Sequence, residues 1–475
     1  HVGYGLKWFR QWKSPKQSDW ESYSGQLALP LSPSRAKGIG IFNREGRQQA
    51  GLDAEFIDEL EVYARSKGRT PEVHYFNPQA EWSIASGQTS LSAGPLRTLA
   101  EDLSALTLYL GKHDDVALMA RKPQREFLRQ LGEVGMALPE ILESDSLDLG
   151  GRKLGALRPW AWSPDSDAFL KPLFERTSLK QPGWHPDWRE LHSKAFSAKL
   201  CNEVDGVVCD SLARVQDALR DRSVLKSPYG LAGKGLRFLK QPKLESADQA
   251  WVTEVIEREG CVVVERWLDR VFDFSVQYEV ETDGSMRLLG YTQVHNDAYG
   301  KFLGCGMRRT LTEHCDVPGL TPFFYGRDRA VQRVYERSVP ELLQPHLERV
   351  GFHGALGVDA MIHREANGAL AHRPVVEINP RTTMGRVAVE LGRHVVKGEP
   401  MSFQILTGKH LRKSSHGDWL ALANSLREAH PIQLTHYQNN HRRMRSGCLI
   451  LNDPEHVRGY LAVLVVGQSH NPILL

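Results

Sequence analysis

Two carboxylates and an amide carry the most specific chemical signal in the chain. The segments Gly357-Val358-Asp359-Ala360-Met361-Ile362 and Val375-Val376-Glu377-Ile378-Asn379-Pro380 flank a polar stretch containing Asn367-Gly368, a strong hairpin-turn dipeptide. The two segments are predicted to pair as antiparallel strands. A three-residue loop centred on Gly368 brings Asp359 directly opposite Glu377, and alternation places Asn379 on the face of Glu377. Facing carboxylates repel, so the pair costs stability unless a cation sits between them. Asp359, Glu377 and Asn379 form a set of hard oxygen ligands suited to Mg²⁺ held together with substrate phosphates. A structural ion pair with Arg381 or Arg386 is the alternative.

A second cluster lies upstream. Val224-Leu225-Lys226 leads into a loop with Gly230, Gly233, Lys234 and Gly235, and a second apolar run follows at 236–239. Glycines let backbone N–H groups approach a polyphosphate, while lysines neutralise its charge. The P-loop pattern fails, because Pro228 stands where its first glycine belongs and Gly235 where its Ser or Thr belongs. The dinucleotide fingerprint fails on glycine spacing and on the strand, in place of a helix, that follows. Strand, glycine loop and strand make a hairpin able to cover a nucleotide; a plain glycine hairpin is the bland equivalent. Cys261-Val262-Val263-Val264-Glu265-Arg266-Trp267-Leu268 then reads as a strand that resumes at Asp273. It is either a core strand or an adenine slot, in which backbone groups near Trp267 and Leu268 pair with the base edge and Asp273 bonds ribose hydroxyls.

These groups need a scaffold. A helix is expected after Asp53, carrying Phe56, Ile57, Leu60 and Tyr63, and a strand at 73–76. Residues 116–119 read as a buried strand; Pro123 opens a helix with Phe127, Leu128 and Leu131, Gly135 closes it, and an apolar stretch follows at 136–138. Strand, helix and strand imply an α/β layer with a parallel sheet. Residues 144–181 read as connecting loop, in which Trp160 and Trp162 serve interdomain packing in preference to a ligand. Two helices follow, with Leu191, Phe196, Leu200 and Val204 on one stripe and Leu212, Val215 and Leu219 on the other. Beyond 408, a helix around Trp419, Leu422 and Leu426 and strands at 448–451 and 461–466 read as a small α/β appendage.

Composition narrows the function. The 475 residues are 41% hydrophobic and 25% charged, as in soluble globular chains. Lys+Arg 60 against Asp+Glu 57 leaves +3, too even a balance for nucleic acid or an anionic membrane as main partner. Six cysteines without C-x-x-C spacing read as reduced thiols, hence a cytoplasmic protein. No apolar run nears the roughly 18 residues of a membrane span. The 19 histidines show no H-x-x-x-H spacing, against zinc. The basic run His441-Arg442-Arg443-Met444-Arg445 reads as an exposed face.

Taken in order, these pieces resemble the ATP-grasp fold, more narrowly its carboxylate–amine ligases such as D-alanine–D-alanine ligase and biotin carboxylase. Glu265-Arg266-Trp267-Leu268 with Asp273 is similar to the family's hinge strand; Asp359 with Glu377-Ile378-Asn379-Pro380-Arg381 is similar to its metal strands. Lys194 and Lys226 stand where the family keeps two nucleotide-binding lysines. The resemblance covers roughly 191–395 and implies an α/β (α+β) architecture: a preceding α/β domain within 1–189, an ATP-grasp domain over 190–400 with a lid at about 222–268 around a central antiparallel sheet, and the appendage over 401–475. One departure concerns the arginine that D-alanine ligases carry just before the metal Asp. Leu356-Gly357-Val358 stands there, so Arg381 or Arg386 must supply the transition-state cation.

The implied activity is that of an ADP-forming ligase, which joins a small-molecule carboxylate, an amino acid or small peptide, to an amine through an acyl-phosphate. ATP and Mg²⁺, with Mn²⁺ as a substitute, are the implied cofactors. No nucleic acid or membrane partner is expected, and a homodimer is allowed. His295, Asn296, Gly300, Lys301, Gly304, Arg308 and Arg309 stand where the family places a substrate loop, or are ordinary solvated charge. An ATP-grasp kinase and a non-catalytic ATP-binding module are the rival readings.

Overall fold

Short apolar strands ending at polar loops build the first layer. The protein's computed structural model describes residues 70–467 apart from 90–93, 146, 148, 150–152, 178–182, 201–205, 231–234, 298–301, 313–314, 327–328 and 438–441. The helix expected after Asp53, and also Val204, Gly233, Gly300 and Lys301, therefore lie outside the described residues.

Strands β1 (Val73–Tyr75), β2 (Val116–Met119), β3 (Glu140–Glu143) and β4 (Leu157–Pro159) form an all-parallel sheet in the order β3-β2-β1-β4. Helix α1 (Ala80–Ser86) follows β1, and α2 (Arg125–Glu133) joins β2 to β3. The parallel layer is as expected, with two corrections. The third strand begins at Glu140 and not at 136–138, because Pro139 has no N–H to give a sheet ladder. The supposed loop 144–181 holds β4 and the helix Pro164–Leu170. Trp160 is buried against Phe76 of the same layer at 4.8 Å between ring centres, and it also lines the cleft that Asp359 and Glu377 border.

Helix α3 (Lys194–Leu200) leads to a small antiparallel sheet of β5 (Val207–Cys209), β6 (Ser223–Lys226), β7 (Leu236–Leu239) and β8 (Val262–Arg266), in the order β5-β8-β6-β7. The glycine-loop hairpin is β6–β7, and the sheet starts at β5, ahead of the expected lid. Helix α4 (Ser246–Glu259) lays Val252 and Val255 on Leu225, Val262 and Val264 to make a separate lid core.

The remaining strands make one nine-stranded antiparallel sheet. They are β9 (Asp269–Val280), β10 (Met286–Asn296), β11 (Phe302–Met307), β12 (Gly354–Arg364), β13 (Leu370–Asn379), β14 (Met401–Thr407), β15 (Gln433–His436), β16 (Arg442–Ile450) and β17 (Tyr460–Val466). Their order is β13-β12-β9-β10-β11-β14-β17-β16-β15. Alternation assigns the two faces. Phe272, Phe274, Val276, Tyr278 and Val280 of β9 join Leu356, Val358, Ala360 and Ile362 of β12 in one apolar core. Asp273, Ser275, Gln277 and Glu279, and Gly357 and Asp359, take the opposite face. Helix α5 (Met384–Leu391) covers part of that face, capped by Thr383, whose Oγ1 accepts from the Arg386 N–H and donates to Gln277 Oε1.

The C-terminal stretch is not a separate appendage, because β14 to β17 extend the same sheet. Their side chains, Phe403, Leu449, Leu464 and Val466 among them, share a core with Phe76, Leu106 and Phe127 of the first layer. Asp102, at the end of the helix Pro95–Asp102, fastens the first layer to the start of β17, accepting the N–H groups of Arg458, Gly459 and Tyr460.

The carboxylate hairpin reaches its expected pairing by a different route. Asp359 lies opposite Glu377, but nearer the turn Arg364 pairs with Leu370 and Met361 with Arg373. The loop is therefore centred on Asn367, and residues 374–376 together face Ala360. This bulge, at Pro374, restores the register.

Gly357 is fixed by close packing: a Cβ there would lie 2.8 Å from Thr383 Cγ2. Gly357→Ala is expected to cost about 1–3 kcal/mol by overpacking, read as a lower urea midpoint; an unchanged midpoint would show that the α5 cap yields freely.

Candidate active site

Cross-strand rows on the polar face of the large sheet form a floor. Asp359 is flanked by Ser275 on β9 and Glu377 on β13; one step along, Gly357 is flanked by Gln277 and Asn379. Asn379 Nδ2 donates to Asp359 Oδ2 at 3.0 Å, leaving its own Oδ1 for another partner. Gln277 Nε2 donates to Ser275 Oγ at 2.8 Å, which extends the network to Thr383. Burial, and next the charge of Glu377, push the Asp359 carboxyl up to about 6, although Ser275, Arg381 and Asn379 oppose the shift. Asp359, Glu377 and Asn379 thus share one face as oxygen donors, a set that fits Mg²⁺.

Lysines meet this floor from the lid side. Lys194, at the start of α3, places Nζ 2.9 Å from Glu377 Oε1 and donates to Gly230 O at 2.7 Å. The helix docks through Ser197, whose Oγ accepts the Ile378 N–H at 3.0 Å. Burial works against the Lys194 charge, but Glu377 and Glu81 outweigh it and raise its pKa. Lys226 ends β6 at 2.7 Å from Glu265 Oε2, which Arg373 also meets at 2.6 Å. Burial lowers the Lys226 pKa, with Arg373 adding to the effect, whereas Lys226 and Arg373 overcome burial to keep Glu265 ionised.

The glycine hairpin is anchored at its base. Glu259, at the end of α4, accepts from Ser227 Oγ at 2.6 Å and from the Tyr229 N–H at 3.1 Å, and the Ser227 N–H donates to Gly235 O at 2.8 Å. Gly235 sits at φ +85°, and a Cβ there would meet Ser227 Cβ at 3.0 Å. Trp267, under Phe238 and Arg222, and Leu268 line the same space. The expected base-pairing role narrows here, because the Trp267 N–H already donates to Arg222 O at 2.6 Å. Asp273 is held by Asn296 Nδ2 at 2.9 Å and by Arg270 at 3.2 Å, and burial raises its pKa.

All these groups border one cleft of about 1830 Å³, lined by Lys194, Lys226, Gly230, Gly235, Glu265, Trp267, Leu268, Asp273, Asp359, Glu377, Asn379 and Arg381. That exceeds the roughly 300–1,000 Å³ of a single-ligand pocket and leaves room for a nucleotide beside further substrate. Arg386 is not among the lining residues; its guanidinium is bonded to Glu279 and Glu390, each at 2.8 Å. Neither arginine is the direct partner of the acid pair, a place taken by Lys194. Of the expected substrate-loop residues, Asn296 lines the cleft, and Gly304 lies in β11 against the Phe403 carbonyl. Sequence reasoning missed Arg373 and Glu81. Arg373 carried a signal, being a charged residue on the inward alternation of β13. Glu81 had none, since nothing local links α1 to β13.

No family model matches the chain. The chain is similar to a curated ligase. That protein, [butirosin acyl-carrier protein]--L-glutamate ligase of Niallia circulans, is 24% identical over 291 residues, which is 58% of this chain and 63% of the relative. The chain thus spans less than two thirds of the length of that relative. Solved structures of similar outline include N5-carboxyaminoimidazole synthetase of Staphylococcus aureus complexed with ADP, 12% identical over 82% of this chain and 92% of that one, TM-score 0.42. Biotin carboxylase of Campylobacter jejuni is 11% identical over 85% of this chain and 88% of that one, TM-score 0.43.

The raised Asp359 pKa has a sign that can be tested. Because the folded value lies above the ordinary 3.8, this group favours the fold below about pH 4, and the contribution is lost as pH rises through about 6. In EDTA, Asp359→Asn is expected to melt at a higher temperature than the wild type at alkaline pH, with the gap closing on acidification. Added Mg²⁺ should raise the wild type and not the variant. A gap independent of pH would contradict the repulsion.

Proposed function

We propose that this chain is an ATP-dependent ligase that joins a carboxylate to an amine and releases ADP and phosphate. What carries the reading is the row Ser275–Asp359–Glu377 lying in the same cleft as two buried lysines and the base of a glycine hairpin. The substrate carboxylate attacks the γ-phosphorus of ATP and ADP leaves. The amine nitrogen then attacks the acyl carbon of the acyl-phosphate, phosphate leaves with the bridging oxygen, and the amine gives up a proton.

Asp359, Glu377 and Asn379 would hold Mg²⁺, with Mn²⁺ as a substitute, and the ion supplies charge neutralisation at the phosphoryl oxygens when bound. Lys194 and Lys226 would offset phosphate charge, and their carboxylate partners fix where each ammonium points. Gly230, Gly233 and Gly235 would cover the phosphates and exclude water. Trp267 and Leu268 would border the adenine, and Asp273 would take the ribose hydroxyls. Arg381, half-buried where it lines the cleft, would hold the substrate carboxylate, and Arg386 would position α5 beside it. The relative's name, a ligase of L-glutamate and an acyl-carrier protein, favours an amino acid as one substrate.

Incubation with ATP, Mg²⁺ and a pool of amino acids and dicarboxylates is expected to release ADP and phosphate in equal amounts only when an acid and an amine are both present. ADP without phosphate would identify a kinase, and nucleotide binding without turnover a regulatory module. Glu377→Gln should cut turnover by about a hundredfold or more with the fold retained; an undiminished rate would remove that residue from the metal set. Lys226→Ala should weaken ATP binding about tenfold, and unaltered affinity would place that lysine outside the phosphate cradle.

A further inference from the structure

Glu81 is a buried carboxylate on the first layer's α1, yet it lines the same cleft as the metal strands and is 5% exposed. Arg381 donates through Nε and Nη2 to Oε1 alone, both at 2.8 Å. Oε2 is buried with no hydrogen-bond partner. A buried acceptor left without a donor is costly, which makes an incoming donor the expected partner. The charge of Glu81 acts on both Lys194 and Arg381, and both of those also respond to Glu377. Glu81 is therefore close to the acid row while belonging to a different part of the chain. The same cleft is also lined by Ala80 and Trp82 of α1 and by Leu96 and Leu99 of the helix Pro95–Asp102.

We propose that Glu81 Oε2 receives the ammonium group of the amine substrate, takes its proton as the nitrogen lone pair attacks the acyl carbon and phosphate leaves, and so selects a cationic primary amine. The inference rests on the ligase reading. A neutral hydroxyl donor would leave the carboxylate with a weaker bond, whereas an ammonium forms a charge-assisted one. Arg381 would hold the carboxylate in place from the other oxygen. Glu81 is thereby a specificity-determining residue.

The test sets two nucleophiles against each other in the whole chain. Hydroxylamine, uncharged near neutral pH, traps an acyl-phosphate as a hydroxamate, while amines of an amino-acid pool give amides. In Glu81→Gln the ratio of amide to hydroxamate should fall about tenfold or more relative to the wild type, and Glu81→Asp should restore much of it. In the wild type, methylammonium should suppress the amides of the amino-acid pool by competing for the same site, while ethanol at equal concentration does not, a measurement that needs no variant to fold. An unchanged ratio, or equal inhibition by ethanol, overturns the assignment to Glu81. Absence of any ATP-dependent hydroxamate in the wild type overturns the ligase reading itself, and this proposal with it.

Discussion

Asp359 and Glu377 face each other across β12 and β13, and the repulsion between them constrains everything placed nearby. At an effective dielectric near 20, two unit charges about 4 Å apart cost roughly 4 kcal/mol. The other face of the same strands offsets this: Val358, Ile362 and Ile378 are buried, each contributing roughly 1.5–3 kcal/mol. The hairpin can hold two like charges because its other face is mostly apolar, with His372 a polar exception, packed against Phe274 and bonded to the Tyr335 hydroxyl. Lys194 balances Glu377, and Ser275 and Asn379 serve Asp359.

Three distant stretches converge on that pair. Lys194 rides on α3 and is tied both to Glu377 and to the first lid glycine. Lys226 comes from β6, joined through Glu265 to Arg373 on β13. Glu81 comes from the first layer through Arg381. Each link has at least one buried partner, and in Lys226–Glu265–Arg373 all are buried, so that removing one partner there costs far more than the pair gains. Such links specify how lid, layer and sheet meet over the cleft, while the apolar cores supply the stability.

Legibility followed the range of the physics involved. The lid hairpin was readable because the apolar runs at 224–226 and 236–239 and the glycines between them are neighbours in sequence. The Asp359–Glu377 pairing was readable because one turn joins the strands. The assumed loop centre was nevertheless one residue off, and the bulge at Pro374 compensated. The backbone amide of Trp267 looked available for a base edge, yet Arg222 accepts it, a contact across two strands that no local pattern announces. The same limit explains the C-terminal stretch, whose helix and strands were visible while their membership of the central sheet was not.

Sequence alone determined the facing of Asp359 and Glu377 across β12 and β13, the side of β13 that Asn379 shares with Glu377, and the glycine hairpin, because each depends on residues within one turn or one strand spacing. Tertiary structure alone decided which cation meets which acid. Lys194, not Arg381 or Arg386, meets Glu377, and Arg381 is turned toward Glu81 some three hundred positions away. Electrostatic partners are chosen by distance in space and by burial, and neither quantity is written in the spacing of residues along a chain.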